Sequence, residues 1–402
     1  MHRSLCGTFV AALLVLTACG SSGGGATTTT TSSYQGKTIQ LGSVLSLTGA
    51  GAVYAVGSKQ GIDLAVEEIN KKGGVNGAKI AVDTQDDGSD KAQSQQVAQK
   101  LIQSGNAVGL IGPTLSNSAV AVHPLAESFK TPVVAVSTTG IHIVPECNYP
   151  KTDPCKYVFR DSLGEETAIP ANIKAYADAK HPKSGVLLVA KDDKFSADGG
   201  EVVKKASPAS GISLLDSIEF SKNDADLSTP VTKAVQKNPD VIYITSLGNI
   251  PARIMIEARK QGFQGQFLGG NGFNTAVVSK QAGQAGKGAQ SGSAWYINNT
   301  FPSNADFVKN YRAKFSQDAD QFAAQGYAVI YIYADAAKKA NLSFSNVAQD
   351  RDRVRAALEK VDIDTPLGRF SFTKVHDVKQ TIWVIAMDGN GGFTLVTSIK
   401  PS

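Results

Sequence analysis

The sequence predicts an α/β protein of two lobes with a ligand cleft between them. Three observations carry this. Short apolar runs alternate with amphipathic stretches along most of the 402 residues, as repeated βα units require. The alternation breaks off and restarts near the middle, so two parallel sheets are expected, each covered by helices. The chain also holds 39 glycines, enough for the many tight turns that short βα connections need. Hydrophobic residues at 42% against 19% charged support packed cores and argue against global disorder.

The first series begins at residue 37. Residues 38–47 read as a strand ending at Thr48-Gly49. Ile62, Ala65, Val66 and Ile69 recur at helical spacing, and Gly73-Gly74 stop that helix. Strand 79–84, helix 90–104, a short strand 108–111, helix 116–129 and a β-rich run 132–136 follow. No element is assigned between there and residue 186. The second series comprises strand 186–190, helix 196–206 and strand 213–220. Thr229 is expected as an N-cap before Pro230, opening a helix that ends at Asn238-Pro239. Strand 241–245, a helix from Ile250-Pro251 to Gly262 and a short strand at Phe267-Leu268 complete the series. Helices at 305–315, 323–339 and 351–361 precede β-rich runs at 370–372, 381–387 and 393–398. Asp388-Gly-Asn-Gly391 is the hairpin turn of the last two. Ligands of open α/β sheets bind outside the carboxyl ends of the strands. The loops 47–57, 112–118, 137–142, 191–196, 246–249 and 269–274 are therefore the expected ligand-contact loops.

The start of the chain reads as an address. The apolar run from Phe9 to Leu16 is too short for a bilayer span and fits the h-region of a secretory signal. Leu16-Thr17-Ala18-Cys19 resembles a bacterial lipobox, in which the Cys is lipidated and becomes the new N-terminus. The organisation expected is a signal peptide over 1–18, then lipidated Cys19 and a tether over 19–36. Residues 20–33 hold only Gly, Ser, Ala and Thr, a flexible segment reaching roughly 20 Å. Of four cysteines, Cys6 leaves with the signal. Cys147 and Cys155, separated by Pro and Asn residues, read as a turn stapled by a disulfide in an oxidising compartment. A zinc site would find only His142 nearby.

Other chemistry finds no footing. A net charge of +5 without a basic run does not indicate nucleic acid. Asp83-Thr-Gln-Asp-Asp-Gly88 begins like a calcium loop, but Gln85 and Ser94 occupy ligand positions. Gly49-Ala-Gly51 begins like a dinucleotide fingerprint, but Tyr54 stands where the third Gly belongs. No phosphate loop or nucleophile elbow is present. No metal, no cofactor and no enzymatic activity are expected.

Several segments resemble the branched-chain-amino-acid-type solute-binding proteins of bacterial ABC transporters, of the periplasmic-binding-protein type I fold. They are Ser43-Val-Leu-Ser-Leu-Thr-Gly49, Gly61-Ile-Asp-Leu-Ala-Val-Glu-Glu-Ile-Asn70, Gly73-Gly-Val-Asn-Gly77, Asp86-Asp87, Leu110-Ile-Gly-Pro-Thr-Leu-Ser116 and Ala258-Arg-Lys-Gln-Gly262. The resemblance implies three hinge crossovers, near 160–162, 291–295 and 372–377. Lobe 1 then comprises 37–161 plus 293–373, and lobe 2 comprises 162–292 plus 374–402. It also implies that a ligand bridges the lobes and stabilises the closed form.

By position, Ser116 matches the hydroxyl that holds a ligand carboxylate at a helix start, where unpaired N–H groups and the helix dipole favour an anion. Tyr54 matches a lobe 1 aromatic, and Thr139 a residue whose carbonyl meets a ligand amino group. Phe195 stands where a stacking Tyr is usual, and Phe322 matches an apolar wall. Three positions depart from the pattern. Asn271 replaces the acid that faces the ligand ammonium, Ile141 replaces a Thr hydroxyl, and Leu247 replaces a lobe 2 aromatic. Asp192 and Asp193, beside Phe195, are the alternative counter-charges. The reading is a monomeric, lipid-anchored, extracytoplasmic subunit that captures a small polar or carboxylate-bearing solute and docks on the permease of an ABC importer with its ATPase. Branched-chain or related amino acids, carboxylates and amides all fit that class. The alternative is a sensor of the same fold coupled to a membrane signalling protein.

Overall fold

The alternating pattern resolves into two separate parallel sheets. The computed structural model describes residues 34–144 and 155–401. Cys6, Cys19, residues 19–33 of the expected tether and Cys147 lie outside them; Tyr34, expected within the tether, is instead buried in the lobe 1 core with its hydroxyl donating to the Ala337 carbonyl at 3.2 Å. In the first lobe, β1 (Thr38–Leu45), α1 (Ala52–Lys71), β2 (Lys79–Asp86), α2 (Lys91–Gln103), β3 (Leu110–Ile111), α3 (Ser116–Ser128), β4 (Val133–Ala135) and β5 (Val158–Arg160) follow in turn. The strands are parallel in the order β2-β1-β3-β4-β5. In the second lobe come α4 (Glu165–Lys180), β6 (Ser184–Ala190), α5 (Lys194–Ala209), β7 (Ser213–Phe220), α6 (Ser228–Gln236), β8 (Val241–Thr245), α7 (Ile250–Lys260), β9 (Gln266–Gly269), α8 (Ala276–Ala282) and β10 (Gln290–Ser293). The chain then supplies α9 (Asn304–Phe315), α10 (Gln321–Ala340), α11 (Val347–Leu358) and the small hairpin β11 (Ile363–Thr365) and β12 (Gly368–Phe370) to the first lobe's core. It returns as β13 (Ile382–Met387) and β14 (Phe393–Ile399), which add antiparallel strands to the second sheet, in the order β14-β13-β10-β9-β8-β6-β7.

Each sheet reverses its strand order at one place. In the first, β1 lies between β2 and β3; in the second, β6 lies between β7 and β8. The loops leaving β1 and β3 therefore diverge to opposite faces and open a crevice, as do those leaving β6 and β8. The two crevices supply the candidate site.

The lobe 1 core packs α1 against α10 at backbone contact. A Cβ on Gly61 would lie 2.0 Å from the Ala323 carbonyl oxygen, and one on Gly326 would lie 2.1 Å from that of Ser58. Only glycine at both positions permits this approach. Ile62, Ala65, Ala328 and Ile332 are fully buried along the seam, each large side chain contributing about 1.5–3 kcal/mol by leaving water.

The structure adds and corrects some elements. α4 has no counterpart in the sequence reading. Pro170 lies inside it, where proline argues against a helix interior, yet Ala168, Ile169, Asn172, Ile173 and Ala177 face the interior at helical spacing. α6 begins at Ser228, one residue before the expected cap, so Thr229 is helical and caps nothing. The carboxylate of Asp226 accepts from the Ser228 N–H and hydroxyl instead. α8 and β10 are also additions. The hairpin turn between β13 and β14 stands where expected, with the Asp388 carboxylate accepting the N–H groups of Asn390 and Gly392.

Candidate ligand site

The carboxyl-end loops of both sheets meet around one small cavity. Tyr54, Thr114, Leu115, Ser116, Ser137 and Phe322 line it from the first lobe, and Phe195, Leu247, Asn271 and Gly272 from the second. No charged side chain lines it. β1 leads to Tyr54, β3 to Ser116, β6 to Phe195 and β8 to Leu247, so four of these residues come from the two points of reversal.

Six of the eight residues expected from sequence are thus brought together: Tyr54, Ser116, Phe195, Leu247, Asn271 and Phe322. Thr139 and Ile141 stand apart from the lining. The Thr139 carbonyl accepts the Glu165 N–H at 2.8 Å, and its hydroxyl meets Glu165 Oε1 at 3.1 Å. Ile141 packs on the apolar cluster between α4 and α5. Its carbonyl accepts from Lys194 Nζ at 3.2 Å. Both alternative carboxylates are occupied elsewhere. Asp193 caps α5 through the Ser196 N–H and hydroxyl and accepts from Asn117 Nδ2. Asp192 accepts from the Ser221 hydroxyl and the Lys222 N–H.

The polar groups of the cavity have defined jobs. Ser116 opens α3, and no side chain caps that helix, which leaves its first-turn N–H groups without intrahelical partners. The Ser116 hydroxyl accepts the Gly140 N–H at 3.2 Å, so its own hydrogen is available to an acceptor. Tyr54 is buried against Phe322, with ring centroids 5.0 Å apart. Its hydroxyl accepts the Gly248 N–H at 2.9 Å and donates to the Gly272 carbonyl at 3.3 Å, joining the lobes. Burial raises its pKa, so it stays a neutral phenol. Further interlobe bonds run from Asn117 Nδ2 to Asp193 at 2.7 Å, from the Lys194 N–H to Asn117 Oδ1 at 2.9 Å and from the Thr275 hydroxyl to the Val53 carbonyl at 3.0 Å.

At residues 38–392 the chain matches the family model described as periplasmic binding protein, nearly the whole described fold. The chain belongs to the periplasmic binding protein family. Relatives of this periplasmic binding protein include the leucine-, isoleucine-, valine-, threonine- and alanine-binding protein of Pseudomonas aeruginosa, 24% identical over 342 residues, or 85% of this chain and 87% of that one. Among solved structures, the branched-chain amino acid transporter substrate-binding protein of Streptococcus pneumoniae, in complex with isoleucine, has a TM-score of 0.79 at 24% identity and covers 91% of this chain and 100% of that one. An ABC transporter solute-binding protein of Rhodopseudomonas palustris, in complex with benzoate, has a TM-score of 0.80 at 20% identity, covering 90% and 97%. These relatives are solute-binding proteins, and the shared fold is the two-lobed type I architecture. Family membership implies an extracytoplasmic location. Among the described residues, no helix is long and apolar enough to cross a membrane, and no cluster suits a metal ion.

Sequence reasoning missed Glu165, the first residue of α4 in this periplasmic binding protein. It is fully buried directly behind the cavity lining. Its Oε1 accepts the Asn271 N–H at 2.9 Å, and its Oε2 has no hydrogen-bond partner. Burial pushes its pKa up to about 8 against the partial relief of the hydrogen bonds from the Asn271 N–H and the Thr139 hydroxyl, so the carboxyl is largely neutral at pH 7. Gly164-Glu165-Glu166 is a helix-start signal, but Pro170 hides the helix, and with it the residue. Gln321 was missed too; it opens α10, one residue before Phe322.

Proposed function

We propose that this chain is the lipid-anchored solute-binding subunit of an ABC importer, and that its ligand is a small carboxylate with an apolar or aromatic body and no α-ammonium. The observation that carries this reading is the absence of charge from the cavity lining. An ammonium buried there would lack a counter-ion, which costs several kcal/mol. Asn271 stands in place of an acid, Asp192 and Asp193 are engaged elsewhere, and Glu165 is held largely neutral behind the lining. A carboxylate meets the opposite situation: the uncapped start of α3, the Ser116 hydroxyl and the helix dipole are suited to an anion. Tyr54, Phe195, Phe322 and Leu247 offer apolar and aromatic walls.

The interlobe bonds of Tyr54, Asn117 and Thr275 support capture by hinge closure, with delivery to a membrane permease. Lipid on Cys19, the tether after it and a Cys147–Cys155 disulfide belong to the same proposal and rest on the sequence pattern. A thermal-shift screen of branched-chain amino acids, aliphatic and aromatic carboxylates and small amides tests the ligand class. A ligand present at 100 times its Kd adds about 2.7 kcal/mol of stability. A large shift with carboxylates alone is expected; a large shift with leucine or valine would sink the reading.

A further inference from the structure

The direction of every hydrogen bond around Asn271 can be traced to backbone groups whose roles are fixed. Gln321, at the start of α10 in the first lobe, is buried. Its Oε1 accepts the Ala294 backbone N–H at 2.7 Å. A backbone N–H only donates, so this oxygen is assigned and the other end of the amide is the NH2 group. That NH2 donates to Asn271 Oδ1 at 2.6 Å, across the lobes. The Asn271 oxygen is thereby turned toward Gln321. Its Nδ2 is left to lie 3.4 Å from the Ser137 carbonyl, a group that only accepts. Ser137 lines the cavity and Gln321 does not. The NH2 of Asn271 therefore faces the ligand side, with one of its two hydrogens uncommitted.

A third amide holds the same direction. Asn274 Nδ2 donates to the Gly292 carbonyl at 2.8 Å and to Gln321 Oε1 at 3.2 Å, while its Oδ1 accepts from the Ser291 hydroxyl at 2.5 Å. Reversing Asn271 would place its NH2 against the NH2 of Gln321 and its oxygen against the Ser137 oxygen. Reversing Gln321 as well would set an NH2 against the Ala294 N–H. The chain of amides has one satisfactory direction.

We infer that Gln321 is a specificity-determining positioning residue: it fixes Asn271 as a hydrogen-bond donor to the cavity, so that the site accepts a ligand oxygen there and rejects an ammonium. This deepens the proposed function and rests on that reading of the ligand as a carboxylate. Since Gln321 and Asn271 belong to different lobes, the donor is oriented only when the lobes are together.

The test is Gln321→Glu. The new carboxylate still accepts from Ala294, but it offers Asn271 an acceptor where the wild type offers a donor. Turning the Asn271 amide over would give the new carboxylate a donor, at the cost of setting the Asn271 oxygen against the Ser137 carbonyl on the cavity side. Leucine and 4-methylpentanoate share a carbon skeleton and differ in the α-ammonium, so the ratio of their Kd values reads the new charge and the Asn271 orientation together, while a general loss of packing would weaken both; neutron diffraction of the variant separates the two by the Asn271 atom that faces Ser137. Wild type is expected to favour 4-methylpentanoate, and Gln321→Glu to move the ratio toward leucine by about tenfold to hundredfold. A wild type that favours 4-methylpentanoate with a ratio unmoved by the substitution overturns the role of Gln321 and leaves the proposed function standing. A wild type that favours leucine overturns both. Neutron diffraction of the wild-type protein reads the Asn271 orientation without ligand or variant, and so decides the inference even if the variant does not fold or neither probe binds. Deuterium on the atom facing Ser137 supports it, and an oxygen there overturns it.

Discussion

Replacing Glu165 by Gln should change how stability depends on pH. The carboxyl is fully buried, with Asn271 and Thr139 on one oxygen and nothing on the other. Its pKa rises from 4.5 to about 8, chiefly through burial; nearby Glu166 adds to the rise and Arg160 opposes it. A raised carboxyl pKa means that the folded protein holds a proton the unfolded chain has lost. The resulting stability is complete below pH 4.5 and is lost as pH rises to 8, at about 1.4 kcal/mol per pH unit. Summed over the shift, this comes to roughly 4–5 kcal/mol. Gln cannot lose the proton, keeps an oxygen for Asn271 and Thr139, and should not show the decline. Urea unfolding of both proteins from pH 5 to pH 9 measures it. Other buried groups, including His123, lowered to about 4, and Asp320, raised to about 6, are common to both proteins and cancel in the difference. The variant should gain on the wild type steadily between pH 5 and 8 and no further above. Parallel curves over that range would show that Glu165 does not hold the proton.

Two further substitutions test the closure and the fold. Tyr54→Phe removes the hydroxyl that serves both the Gly248 N–H and the Gly272 carbonyl. Each lost partner costs about 1–3 kcal/mol in the buried, closed form only, or about 2 kcal/mol or more for the two, so calorimetry should find ligand affinity reduced by about 30-fold or more; unchanged affinity would exclude the hydroxyl as an interlobe tie. Gly61→Ala places a methyl group 2.0 Å from the Ala323 carbonyl oxygen and must push α1 from α10. A loss of about 1–3 kcal/mol is expected, visible as a lower Tm, and an unchanged Tm would mean that the helices separate without cost.

The sequence carried the fold where local signals and tertiary packing agree. β1, β6 and β8 are apolar runs closed by turns, and glycines end the helices between them. α4 was hidden because Pro170 opposes it locally, while burial of Ile169 and Ile173 overrides that opposition. The site was legible as far as residues sit on strand-end loops, which is why Tyr54, Ser116, Phe195 and Asn271 meet around one cavity. Thr139 and Ile141 leave the lining because the segment after β4 turns toward α4 and α5, a tertiary event without a local signal. Glu165 and Gln321 were out of reach for a related reason. Their importance lies in the groups they touch across the lobe junction, and neither residue type nor spacing announces that contact.

The most direct measurement is isothermal titration of the protein with leucine and with 4-methylpentanoate in parallel. An uncharged lining with Asn271 held as a donor predicts tighter binding of 4-methylpentanoate, by about tenfold or more. Tighter binding of leucine would mean that another group neutralises the ammonium, and would contradict the account.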